Sequence, residues 1–481
     1  MAKTLFLFLS LFVVAIVNAQ DLYTYQSLSG IYYTTQKDSL KKNWVCPALY
    51  QDKATQKTYK DLWDDRTNFL LDAITANDYI HDGEVYGYVS QLLSDICSGN
   101  KKMVPVQPLL LLDRSSAINA YAVGKNVIVV NAGLVDFCQT REELALAIAH
   151  ELSHNILDHV DNAMKEKAEW LNSKEYQQKL KGILDSKYER YSRLMKIAEN
   201  YSFSRNRHNR YHESSADSLA IILLKNSNLA FNASYFLRLD SADVVYHQPL
   251  KNPLKSYFDA YNLPFQPEWT VKRTRGLSSH SYNFRDTTTI DDSLKTHPDC
   301  VVRYQNTASQ TTVNGVYTPI PASVKKLSNK ILLWNMFDDL RLTACLYRIL
   351  LEKDNGNTDE WYDFMVHNVF FGLLYATNQL SRFNVIGIMQ KEYIAKDYYA
   401  LQTMLEQMSQ EDLEKYCKQL ANLGFWQNTT ADAKGLKLLM ATLNTPGPDN
   451  TDKQKDIASK NFMTSYSTSM YCELAQHFRK K

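Results

Sequence analysis

The stretch from Thr140 to His154 most narrows what this chain can build. Thr140 is a favourable helix N-cap, Glu143 three residues on completes a capping box, and Glu142 and Glu143 suit the positive end of a helix dipole. A helix therefore starts here and carries the apolar run Leu144 to Ala149 into His150-Glu151-Leu152-Ser153-His154. Residues four apart lie one turn above each other, so both imidazoles project from one face and can grip a single ion. Two histidines and a glutamate inside an apolar helix need partners, because burying unpaired polar groups is costly.

A catalytic zinc takes three protein ligands and keeps one position for water. A downstream His ligand on the same segment would need Gly at 157 and His at 160, where Leu157 and Val160 stand. His159 falls one residue short of that place and reads as structural. The better third ligand is Glu213, in Glu213-Ser214-Ser215-Ala216-Asp217 at the head of a helical run through Leu224. Glu213 and Asp217 share a helix face, so Glu213 can bind the metal while Asp217 fixes the tautomer of a ligand histidine. The bland reading of the pair is a solvated acidic turn at a helix start.

Around this motif the chain reads as mainly α. Only 15 Gly and 12 Pro interrupt 481 residues, and Glu142–Tyr211 and Val324–Phe425 carry helix formers with apolar residues three and four apart. Strand signals gather at Leu109 to Leu112, Ile118 to Val123 and Val127 to Asn131, with Gly124-Lys125 suited to a tight turn. A small sheet thus precedes the key helix. The polar stretches Ser278–Lys295 and Tyr304–Pro321 read as loops, the second as a boundary before a C-terminal helical region.

A net charge of +2, from 54 Lys and Arg against 52 Asp and Glu, gives no field that argues for nucleic acid or an anionic membrane. Lys3, the apolar run Leu5 to Val17 and the small residues of Val17-Asn18-Ala19 read as a signal peptide cleaved near Ala19. That implies a secreted or periplasmic protein. No later segment is apolar enough to span a bilayer, since the best, Lys330 to Leu351, contains Asp338, Asp339 and Arg341. Seven cysteines without a CxxC pair argue against a thiolate metal site, and their connectivity is not legible.

At this point the sequence resembles the gluzincin metallopeptidases that include the CAAX prenyl endopeptidase, HtpX and the periplasmic BepA-type proteases. The resemblance covers roughly Asn119 to Arg303. Asn119-Ala120-Tyr121, Val127 to Asn131 and Gly133-Leu134 look like the family's edge strand and the turn into its HExxH helix. Phe203-Ser204-Arg205 through Arg210 to Glu213 and Asp217 is similar to its third-ligand helix, and Thr296-His297-Pro298 with Arg303 to its late His-Pro segment. Ser153 stands where the family often has Gly.

The resemblance implies an α+β zincin-like fold; with the leader and the boundary read above, the chain divides into a signal peptide at 1–19, a metallopeptidase domain at 20–320 and a C-terminal helical domain at 321–481. It also implies one Zn2+ per chain held by His150, His154 and Glu213, with Glu151 as general base and Asp217 behind a ligand. Asn119, Ala120 and Tyr121 would receive a protein or peptide substrate by strand addition, and His297 or Arg303 would polarise the oxyanion. For His297 a turn residue before Pro298 is the plain alternative. The expected function is a zinc endopeptidase acting on extended or unfolded proteins, with envelope quality control as its setting. The alternatives are a catalytically quiet chaperone or adaptor of the same fold, and a zinc peptidase acting on small peptides. Oligomeric state and cleavage preference are not legible.

Overall fold

The computed structural model describes residues 31–76, 78–81, 83–186, 189–191, 194, 212–240, 246–271, 300–445 and 451–477. The signal-peptide reading, the arginines 205, 207 and 210, the Ser278–Lys295 stretch and His297 lie outside them.

A four-stranded sheet anchors the N-terminal half: β1 (Tyr79–Ile80), β2 (Leu109–Asp113), β3 (Ala120–Gly124) and β4 (Val127–Asn131), in the order β1-β2-β4-β3. β2 and β4 run parallel, and the other pairs are antiparallel. The three longer strands fall where the apolar runs place them. The two-residue β1 carries no periodic signal and was not expected.

Every residue of β4 is buried, because both faces of the sheet are covered. Leu110, Leu112, Ala120, Ile128 and Val130 join the main core, which also holds Leu144, Ile148 and Leu152 of α5 (Arg141–Ile156) and Leu92 and Ile96 of α3 (Glu84–Gly99). Leu111, Val123, Val127 and Val129 face the other way, against Leu40 of α1 (Ile31–Asn43) and Leu70, Leu71 and Ile74 of α2 (Lys53–Thr75).

The β3–β4 turn differs by one residue from its expected centre. Its central residues are Lys125 and Asn126, both left-handed at φ 48° and 63°, the hand that a two-residue hairpin requires. Gly124, at φ 86°, closes β3 instead, next to a register shift between Ala122 and Gly124.

The cap of α5 also differs in detail. The Thr140 side chain accepts from the Glu143 N–H at 3.2 Å, but the Glu143 carboxylate accepts from the N–H of Gln139 at 2.7 Å, one residue before the expected partner. The stretch Tyr304–Pro321 is not all loop, since residues 304–307 close a helix and Ala308–Gln310 forms a 3-10 turn, and its remainder is tied to this same helix start. Arg141 donates its N–H to the carbonyl of Thr318 at 2.7 Å, Ile320 donates to the carbonyl of Gln139 at 3.1 Å, and Glu142 accepts from the Thr318 N–H at 2.7 Å.

Beyond it the chain is helical: α12 (Ala322–Asp338), α13 (Leu342–Asp354), α14 (Glu360–Asn378), α15 (Arg382–Ile386), α16 (Lys396–Gln407), α17 (Gln410–Ala421), α18 (Ala431–Leu443), α19 (Asp452–Ser465) and α20 (Cys472–His477). These helices share one apolar core with the sheet and α5; that core runs from Ile80 to Ala475. The cysteines are thiols. Among the described residues no helix is long and apolar enough to cross a membrane.

Candidate metal centre

α5 carries His150 and His154 on one face, and helical residues 212–226 (α8) bring Glu213 and Asp217 opposite them. The Nε2 atoms of the two histidines are 3.1 Å apart, and the Glu213 carboxylate lies 3.1 Å from His150 Nε2 and 3.5 Å from His154 Nε2. Among the described residues this is the one group of three or more His, Cys, Asp or Glu side chains whose donor atoms converge closely enough to hold an ion. Donors bound at about 2.0–2.1 Å with tetrahedral angles sit roughly 3.3 Å from one another, so the three atoms fit a first-row metal ion.

Asp217 stands behind His150. Its Oδ1 is 2.9 Å from His150 Nδ1, which leaves Nε2 facing Glu213 and fixes the tautomer a ligand needs. Burial alone would push the Asp217 carboxyl up, but hydrogen bonds from Arg303 and His150 outweigh it and hold the group at about 2. For His150, burial works against the charged form, yet Asp217 and Glu213 together push its pKa up to about 9. The two carboxylates therefore favour positive charge on this imidazole, with the Arg303 charge opposing them.

Arg303, on α11 (Cys300–Thr307), is buried at 7 % exposure. It clamps Asp217 with two bonds, Nε to Oδ2 at 2.8 Å and Nη2 to Oδ1 at 2.6 Å, and lies over the Phe236 ring at 4.4 Å. The guanidinium is thus on the Nδ1 side of His150, away from the Nε2 cluster. Nε and Nη2 are thereby engaged behind the ligand, while the buried Nη1 makes no hydrogen bond among the described residues.

Glu151 is 6 % exposed and points to the edge of the sheet, where its Oε2 accepts from the N–H of Ala122 at 2.9 Å. Asn131 donates its N–H to the carbonyl of Asn119, and Tyr121 pairs with Val129, so the backbone groups of Asn119 and Tyr121 turn toward β4. Those of Ala120 and Ala122 turn outward. The Tyr121 side chain packs into the cluster on the far face of the sheet. Of the three residues expected to meet substrate, Ala120 is the one that presents its backbone, and Ala122 joins it.

Sequence reading passed over a second group around His154. His159 begins α6 (His159–Leu171) after Asp158, which turns left-handed at φ 52°. The reversal lays His159 Nδ1 2.9 Å from His154 Nδ1, and its ring stacks on His212 with centroids 4.2 Å apart. Burial, reinforced by the neighbouring His212, pushes the His159 pKa down to about 4, so its imidazole is neutral. The signal available in the sequence was the helix break at Leu157-Asp158, which takes His159 off the α5 spiral.

A helix-borne pair of histidines, a glutamate between them at the edge of a small mixed sheet, and a carboxylate from a second helix define a zincin-type metallopeptidase centre. Residues 87–311 match the model of peptidase family M48, so this part of the chain is similar to that family's peptidases. No curated protein matches it.

Proposed function

We infer that the protein is a zinc-dependent endopeptidase that cleaves extended or unfolded polypeptide. The observation that carries this reading is the convergence of His150, His154 and Glu213 with Glu151 directly beside the outward edge of β3. Two imidazoles and a carboxylate suit zinc. Bound there, zinc supplies Lewis acidity, polarising a scissile carbonyl and acidifying a water.

The remaining work falls to the protein. Outward-facing groups of Ala120 and the carbonyl of Ala122 are placed to pair with an added substrate strand, a mode that reads backbone and so favours unfolded chains. Glu151, its rotamer fixed by the Ala122 N–H, takes a proton from the attacking water and passes it to the amine as the peptide bond breaks. Asp217, itself held by Arg303, keeps the His150 Nδ1–H in place, which leaves Nε2 as the metal donor. We assign Arg303 this positioning role. A secreted or periplasmic location, drawn from Lys3 and the Leu5 to Val17 run, supports a part in clearing unfolded envelope proteins.

The test is elemental analysis of the purified chain, run with casein cleavage by wild type and Glu151→Gln. About one zinc per chain in both proteins, with chelator-sensitive cleavage that drops about 10²–10⁴-fold in the variant, is the expected result. Equal cleavage by both would remove Glu151 from the mechanism. A metal-loaded wild type without cleavage would favour a binding role for the fold.

A further inference from the structure

We propose that His159 is the positioning residue for His154, acting through a one-way chain of hydrogen bonds that ends on the third-ligand helix. The proposal rests on the metal-site reading above. The two ligand histidines are held differently: Asp217 stands behind His150, whereas His154 has an imidazole at its back.

The proton positions follow from the geometry. With His154 Nε2 turned to the metal, its Nδ1 carries the proton and donates to His159 Nδ1 at 2.9 Å. His159 Nδ1 is then an acceptor, so in its neutral form the proton sits on Nε2. That nitrogen lies 3.4 Å from Ser215 Oγ, the next acceptor. Ser215 in turn donates its hydroxyl to the carbonyl of His212 at 2.9 Å, the residue preceding Glu213.

The last link can run only one way, because a carbonyl oxygen only accepts, and reversing either link at His159 would leave His154 Nε2 protonated and unable to bind. The stack of His212 on His159 fixes the plane of the relay ring. The second ligand and the helix that delivers the third are thereby joined through side chains at His159 and Ser215. A neutral imidazole leaves His154 less electron-rich than a carboxylate would, so the two ligands differ in basicity by construction.

The test uses the full chain and three variants. His159→Phe keeps ring and stack but removes the acceptor. His159→Asn restores an acceptor where Nδ1 stood. Ser215→Ala cuts the next link at a helical position where alanine is the better helix former. Zinc affinity is read by competition with a chromophoric chelator, the visible spectrum of the cobalt-substituted protein reports ligand geometry, and thermal unfolding reports the fold.

His159→Phe is expected to weaken zinc about 10–100-fold and to shift the cobalt bands, with Asn recovering most of both. Ser215→Ala is expected to lose about three- to tenfold in affinity while its melting temperature holds or rises. Wild-type affinity in His159→Phe, or equal losses in the Phe and Asn variants, overturns the relay. Should the Phe variant fail to fold, Asn and Ser215→Ala decide it: wild-type affinity in Ser215→Ala together with a full loss in Asn overturns it. A wild type that binds metal but cleaves no casein removes the peptidase reading alone, and one that binds no metal removes both.

Discussion

Arg303 and Asp217 show how far the site's chemistry depends on a pair that touches no substrate. Both are nearly inaccessible, and the carboxylate is the shared acceptor for the guanidinium and for His150. Removing one member of a buried ion pair leaves the other charge uncompensated, at about 3–5 kcal/mol. Arg303→Met is therefore expected to lower stability by that order and to loosen metal binding, whereas Arg303→Met with Asp217→Asn loses less than the two singles combined. Urea unfolding of the three variants checks it; strict additivity would mean that the pair is not coupled. Arg303→Lys is not a rescue, because an ammonium cannot make the two-pronged contact.

His367 gives a pH dependence at the same scale, away from the metal centre. It is fully buried in α14, stacked on Phe371 at 4.3 Å and edge-on to Trp426 at 4.7 Å. Burial pushes its pKa down to about 3, against the hydrogen bond that His367 Nδ1 donates to Asn368 Oδ1 and with the Lys437 charge adding to the effect. Above the unfolded value of about 6.5 neither state binds the proton, so this group has no effect there. As pH falls below about 6.5 the unfolded chain takes up a proton that the folded chain refuses, and stability drops toward pH 3. His367→Phe is expected to flatten that part of the acid limb. Urea midpoints at pH 7.5, 5.5 and 4.5 for both proteins measure it, and parallel curves would exclude His367 as a source.

At the scale of elements, the connection from β2 to β3 sets where the substrate edge lies, and Gly133 guards it. The Gly133 N–H donates to the carbonyl of Ser115 at 3.0 Å, and a Cβ at 133 would come within 2.3 Å of the Ser116 carbonyl oxygen and 2.6 Å of that of Ala117. Backbone atoms cannot swing aside as a side chain would, so Gly133→Ala must displace the segment that feeds Asn119 and Ala120 into β3. The expected cost is about 1–3 kcal/mol with a larger loss of cleavage than of metal binding. Melting temperature, zinc content and casein turnover separate these; unchanged turnover would mean that the edge strand's position is not critical.

The same elements show what the sequence could and could not tell. The β2, β3 and β4 runs, the helix start at Thr140 and the four-residue spacings of His150 with His154 and Glu213 with Asp217 are local patterns, and the fold keeps them. The β1 strand, the parallel pairing of β2 with β4, the reach of Glu143 to Gln139 and the meeting of His159 with His154 depend on where distant or reversed segments return. None of these leaves a period in the sequence. Arg303 was singled out through the resemblance, and its burial beside Asp217, which supports the positioning role proposed for it, has no counterpart in the sequence pattern.

At the scale of the whole molecule, the C-terminal helices are part of what holds the catalytic half together. α12 is buried around its whole girth from Ser328 to Phe337, the mark of a central helix and not of one lying on a surface. It packs on α4 (Ala132–Phe137), the short helix between β4 and α5, and on α3. Polar ties cross the same seam: Arg348 pairs with Asp136, Lys325 donates to the carbonyl of Cys138 at 2.9 Å, and Glu473 of the last helix meets Arg114 at 2.5 Å, just after β2. Cutting the chain after 320 would expose the apolar faces of α3 and α4 and leave Asp136 and Arg114 without these partners. A fragment spanning 20–320 is thus expected not to fold alone, although it holds every metal donor. Expressed by itself it should be insoluble or lack a cooperative thermal transition, and adding the 321–481 fragment should restore one. A soluble 20–320 fragment that melts cooperatively and binds zinc as the full chain does would show instead that the shared core is dispensable.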